Sequence, residues 1–93
     1  MAIVKLANNT GVLIPVWGDI VENVERPTLK AAQDMVQGYV EALRFERDGI
    51  KAQALFNEDG LLKHMEPNLR ASLLVGAALV GPVLILTGKR RWL

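Results

Sequence analysis

The side chains able to do chemistry in this 93-residue chain are few, and their spacing limits what they can do. The hydroxyl candidates are Thr10, Thr28, Ser72 and Thr87, and His64 is the only histidine. A nucleophile needs an adjacent base, and none of the four falls in a recognisable motif with His64. With no second histidine and no cysteine, His64 cannot anchor a thiolate or multi-histidine zinc site. Glu58 and Asp59 are neighbouring carboxylates, but they lack the spacing of a calcium loop and more commonly form a solvated turn tip. No Gly-rich turn is followed by the Lys-Ser/Thr pair of a phosphate-binding loop. The sequence therefore predicts no catalytic residue, no metal ligand set and no cofactor.

What remains are groups suited to binding. Tyr39, Glu41, Asn57 and Asn68 fall where the predicted elements converge toward one end of a sheet. Lys89, Arg90, Arg91 and Trp92 form a second group, in which the cations can grip phosphates and the indole can stack on a base. Each has a plainer role beside it. Glu41 can be a hydrogen-bonded carboxylate at the mouth of the core, and residues 89–93 can be a frayed, solvated terminus. Trp17 reads as a cap over the core, with a ligand platform as the alternative.

Net charge is +1, which argues against a general nucleic-acid binder, although Lys89, Arg90 and Arg91 cluster. The length suits one domain over residues 1–88, followed by a basic tail over 89–93. A core this small makes pairing with a second copy an expectation. The absence of cysteine excludes disulfides and permits an intracellular location. The first residues lack the pattern of a secretory signal.

These groups need elements to position them. Residues 2–7 alternate and predict a strand, Asn8-Asn9-Thr10-Gly11 a turn, and residues 12–17 a second strand that Pro15 pushes to an edge. Pro27 keeps a helix from starting earlier, Thr28 caps it, and Gly38 stands where a left-handed residue ends it. Asp48-Gly49 is a favoured two-residue type I′ turn. It sets Arg47, Phe45, Leu43 and Glu41 opposite Ile50, Ala52, Ala54 and Phe56. On the other side Glu46 meets Lys51, Arg44 meets Gln53 and Ala42 meets Leu55. Asn57-Glu58-Asp59-Gly60 is a further turn, with a short strand expected at 61–63. Pro67 suits the first turn of a helix over 68–75.

Residues 71–88 carry no charge and are followed by basic residues, a pattern that also fits a membrane anchor. Gly76, Gly81 and Pro82 break that run, and residues 82–87 are β-branched enough to be a buried strand, so the sequence favours interior protein over a membrane span. The predicted fold is α+β: hairpin, helix, hairpin, short helix and strand, a mainly antiparallel sheet with its helices on one face. The expected core is Leu13, Leu29, Ala32, Val36, Leu43, Phe45, Ala54, Phe56, Leu73, Leu74, Val83 and Ile85.

Gln33-x-x-Val36-x-Gly38-Tyr39-x-Glu41, then Asn57-Glu58-Asp59-Gly60, Asn68-Leu69-Arg70-Ala71 and Gly81-Pro82-Val83, resemble in order the signature of a small unknown-function family common in phages and mobile elements. The resemblance covers residues 12–86. Gln37, where that family tends to have glycine, and the Leu62-Lys63-His64-Met65-Glu66 stretch depart from it. It implies a compact soluble α+β domain from a phage or mobile element, cytoplasmic in an infected bacterial host, and carries no known catalytic residues. It points to a small non-enzymatic module, homo-oligomeric, that sequesters a nucleotide-type immune signal of the host. The alternative is an inhibitor or accessory factor that binds a host defence protein through a sheet edge or the face bearing Arg44, Glu46, Lys51 and Gln53. Neither reading expects duplex nucleic acid or a membrane as partner.

Overall fold

A computed structural model describes residues 4–92. The chain forms β1 (Gly11–Ile14), α1 (Leu29–Val36), β2 (Val40–Arg47), β3 (Ile50–Asn57), α2 (Leu69–Val75), β4 (Val83–Thr87) and a 3-10 turn, Gly88–Arg90. The strands make one antiparallel sheet in the order β1-β4-β3-β2. The fold is α+β.

The organising strand is β4. All five of its residues are buried, so both of its faces must be covered. Val83 and Ile85 join Val12, Ile14, Ala52 and Ala54 beneath Ala71 and Leu74 of α2. Leu84 and Leu86 join Leu55 beneath Ala32 of α1, with Leu13, Met35 and Trp92 at the margin. The two helices therefore lie on opposite faces, not on one. The cause is visible in β3 and β4, where large apolar side chains occupy both parities of the strand and each parity needs its own cover. The uncharged run is thus the end of α2, a connection over residues 76–82 and the central strand β4. Among the described residues no helix is long and apolar enough to cross a membrane.

The first hairpin does not form as expected. Residues 4–7 make no strand, and the rest of that segment lies outside the described residues. β1 pairs with β4 instead, Gly11 opposite Leu86 and Ile14 opposite Val83. The Thr87 hydroxyl replaces hairpin pairing: it donates to the Ala7 carbonyl at 2.7 Å and accepts the Thr10 N–H at 2.9 Å. Residues 61–63 are turn, not strand.

The second hairpin has the register expected from its turn throughout, from Arg47 opposite Ile50 to Glu41 opposite Phe56. Asp48 (φ 53°) and Gly49 (φ 79°) take the left-handed geometry that a type I′ turn needs. Glu46 stands opposite Lys51, yet the one ion pair within 4 Å among the described residues is Lys30–Asp34, at 3.8 Å.

α1 is capped by the residue the sequence marks, whereas α2 is capped by Asn68, which the sequence placed inside the helix, and Pro67 lies before its first turn. Thr28 Oγ1 accepts the Ala31 N–H at 3.1 Å. The left-handed stop of α1 is Gln37 (φ 66°), one residue before Gly38, whose N–H reaches the Gln33 carbonyl at 3.0 Å. Leu29, Leu43 and Leu73, expected inside, are exposed, Leu73 to 64%. Short helices bury only a narrow stripe, which Ala32 and Val36 fill in α1 and Ala71 and Leu74 fill in α2.

Candidate anion-binding site

The last described residues fold back onto the α1 face of the sheet. Gln53 is buried, and its carboxamide clasps the backbone of Trp92, donating Nε2–H to the Trp92 carbonyl and accepting the Trp92 N–H at 2.6 Å. The indole Nε1–H donates to the Pro27 carbonyl at 3.0 Å, and the ring packs beside Leu55, Leu84 and Leu86. A carboxamide that satisfies both backbone groups of one residue fixes that residue's position as a strand partner would. Residues 89–92 are consequently part of the domain rather than a frayed tail; Leu93 lies outside the described residues.

Gly88 makes the turn possible. Its φ is +54°, and a Cβ there would stand 2.1 Å from Asn9 Oδ1, the same oxygen that accepts the Lys89 N–H at 2.9 Å.

This fold-back gathers cations. Arg26, Arg44, Lys89 and Arg91 line a hollow of about 290 Å³ with Gln53 and Trp92. An adjoining hollow of about 390 Å³ is lined by Asn9, Glu25, Arg26, Lys89 and Arg90. Five of the chain's eleven Lys and Arg residues thus surround two neighbouring depressions. Their acidic neighbour there is Glu25, and none of the five forms an ion pair within 4 Å among the described residues. Three of them are held by carbonyls instead. Arg26 donates to the Lys89 carbonyl, Arg90 to Val24 at 2.7 Å, and Arg91 Nε to Gly88 at 3.1 Å. A carbonyl fixes a guanidinium without neutralising it, so the positive charge stays available to an anion.

Tyr39, Glu41, Asn57 and Asn68 lie at the opposite end of the sheet. Asn57 stands opposite Val40 at the far end of β3, whereas Ala52 at the near end pairs with Thr87. Tyr39 and Glu41 are exposed. Both asparagines are buried and fully engaged. Asn57 Nδ2 donates to the carbonyls of Val36 (3.0 Å) and Gln37 (3.1 Å), and its Oδ1 accepts the Asp59 N–H at 2.8 Å. Asn68 Nδ2 donates to Ile14 (2.9 Å) and Gly81 (2.8 Å), while its Oδ1 caps α2 by accepting the Ala71 N–H at 3.1 Å. Neither amide has a donor left for a ligand. The structure therefore brings together the C-terminal group of candidates and leaves the other four apart from it.

Arg26 and Arg44 are the members of the site that sequence reading did not assign to it. Arg44 had one available signal, its place opposite Gln53. Trp17 differs from its expected role as a core cap: it is 77% exposed, and its Nε1–H donates to Glu66 Oε2 at 2.7 Å. With Val16, Pro67, Leu69 and Arg70 it lines a separate, more apolar hollow of about 450 Å³. The Arg70 guanidinium there is committed to the carbonyls of Pro15 (2.6 Å) and Gly18 (2.8 Å). His64 is exposed beside a neighbouring hollow, and among the described residues no three His, Cys, Asp or Glu residues are grouped to hold a metal.

The chain matches no protein-family model, no curated protein and no solved structure in the three comparisons made.

Proposed function

We propose that this protein is a non-enzymatic binding module for a phosphate-bearing small molecule of nucleotide size, held in the cationic hollows around Arg26, Arg44, Lys89, Arg90 and Arg91. The observation that carries the reading is five clustered cations, three of them anchored by carbonyls and none cancelled by a carboxylate within 4 Å. Planar guanidiniums suit bidentate phosphate recognition, and the combined hollows fall in the size range of small-molecule sites. Trp92 supplies an aromatic wall beside them. Its N–H is committed to Pro27, so it flanks a base rather than swinging out to stack freely. The resemblance to a phage family adds the ligand's biological class: a nucleotide-type immune signal of the host, sequestered rather than turned over.

Thermal unfolding with inorganic pyrophosphate and a panel of linear and cyclic nucleotides tests the reading, since a ligand bound only by the folded chain raises its apparent stability. The expected result is a rise in Tm with phosphate-bearing ligands that shrinks as salt is added. No shift with any of them at millimolar concentration overturns it.

The alternative, a host-protein inhibitor acting through the polar face of the second hairpin, has less to stand on. Gln53 is buried and holds Trp92, which leaves Arg44, Glu46 and Lys51 of that face exposed.

A further inference from the structure

The two edges of the sheet are built differently. β1 is four residues long, is followed by Pro15, and is covered: Leu13 exchanges hydrogen bonds with Val21 at 2.9 and 3.0 Å, and the Val24 N–H reaches the Gly11 carbonyl at 2.7 Å. β2 is eight residues long, with an unbroken register against β3; it has no proline or bulge, and its charges, Glu41, Arg44, Glu46 and Arg47, are of both signs. Prolines and bulges are among the usual devices that keep an edge from pairing.

The hairpin geometry fixes which β2 groups face outward. A two-residue type I′ turn closes on a hydrogen-bonded pair, here Arg47 and Ile50. Alternation then turns the backbone of Phe45, Leu43 and Glu41 toward β3, and the Glu58 N–H to Tyr39 carbonyl bond at 2.8 Å continues that parity. Ala42, Arg44 and Glu46 point their N–H and C=O groups outward, and no group among the described residues bonds them.

We infer that β2 is the interface of a homodimer, pairing antiparallel with β2 of a second copy about a two-fold axis at Arg44, so that the two sheets join into one. The sequence of the edge is self-complementary in this register. Glu41 meets the partner's Arg47, and the reverse, giving two opposite-charge pairs; Arg47 Nη1 is steadied there by the carbonyls of Leu73 (3.0 Å) and Leu74 (3.1 Å), which fix the guanidinium without neutralising it. Leu43 meets the partner's Phe45, which covers a leucine left exposed in the single chain. Ala42 and Glu46 exchange backbone bonds, as does Arg44 with its own copy. The Glu41–Arg47 and Leu43–Phe45 pairs each add to sheet stability, while Arg44 opposite its own copy on the axis is a like-charge pair that subtracts from it; the same patch meets itself, as a two-fold axis requires.

Sedimentation of the full chain in phosphate-free buffer tests this. The expected species has twice the 10.2 kDa chain mass. Ala42→Pro removes an outward N–H and leaves the β3 ladder its bonds. It is expected to give a folded monomer, with dimer affinity reduced at least tenfold. Glu41→Arg and Arg47→Glu are each expected to be monomeric alone and to form a mixed dimer when combined, because each chain then supplies the charge the other lacks. That mixing result decides the matter if Ala42→Pro does not fold. A wild-type chain that stays monomeric at high micromolar concentration overturns the inference. So does a dimer that survives Ala42→Pro in a folded chain, or charge variants that dimerise alone. The test needs no anion, so its failure would leave the anion-binding reading standing, and the reverse.

Discussion

The two ends of the sheet treat polar side chains in opposite ways. At the end near Asn57 and Asn68, each amide is buried and bonded to backbone on more than one element: α1 and the following turn for Asn57, β1, α2 and the approach to β4 for Asn68. At the end near Lys89 to Trp92, Gln53 does similar work for one residue, and the cations around it are left with charge to spare. A neutral amide can be buried when its bonds are complete. A guanidinium keeps its charge whatever carbonyl it touches, and so remains addressed to something outside the chain. The contrast separates groups that hold the fold from groups that can hold a ligand.

Substitutions should divide along the same line. Asn68→Ala has the largest expected effect on stability, a loss of about 3 kcal/mol, because it removes a helix cap and orphans two buried carbonyls. Chemical denaturation measures it, and pyrophosphate binding by the fraction still folded should be unchanged. Asn57→Ala should cost about 2 kcal/mol by the same route, since the end of α1 loses its tie to β3. Arg44→Ala reverses the pattern. Its unfolding free energy should stay within about 0.5 kcal/mol of wild type, while affinity for pyrophosphate falls about tenfold, equivalent to about 1.4 kcal/mol; calorimetric titration reads the second. If Arg44→Ala destabilised the chain as much as Asn57→Ala, the division between the two ends would fail. Gln37→Gly is the smallest and runs the other way. A left-handed position without a Cβ is less strained, so a gain of up to about 1 kcal/mol is expected in denaturation.

Local chemistry was legible in the sequence because it depends on neighbours in the chain. Thr28, the Asp48-Gly49 turn, the β2–β3 register and the end of α2 at Gly76 could all be read within a few residues. The partner of β1 could not be. It lies 69 to 75 residues away in β4, and nothing near Val12 encodes it. The opposite-face placement of the helices was hidden for a related reason. Leu55, Leu84 and Leu86 read as ordinary strand residues until β4 is known to be central and to need cover on both sides. The site was half legible. A cluster of Lys89, Arg90 and Arg91 is visible as a run, whereas Arg26 and Arg44 join it only through the fold-back that Gly88 and Gln53 produce.

The central strand is also the last of the four to leave the ribosome. Until residues 83–87 emerge, β1 has no ladder and β3 has one side bare, so a nascent chain can hold its β2–β3 ribbon but cannot close the sheet. Closure then waits on a contact between distant parts of the chain, the kind that slows folding. During that wait, the ribbon's unpaired strand is what a chaperone or a neighbouring nascent chain would meet.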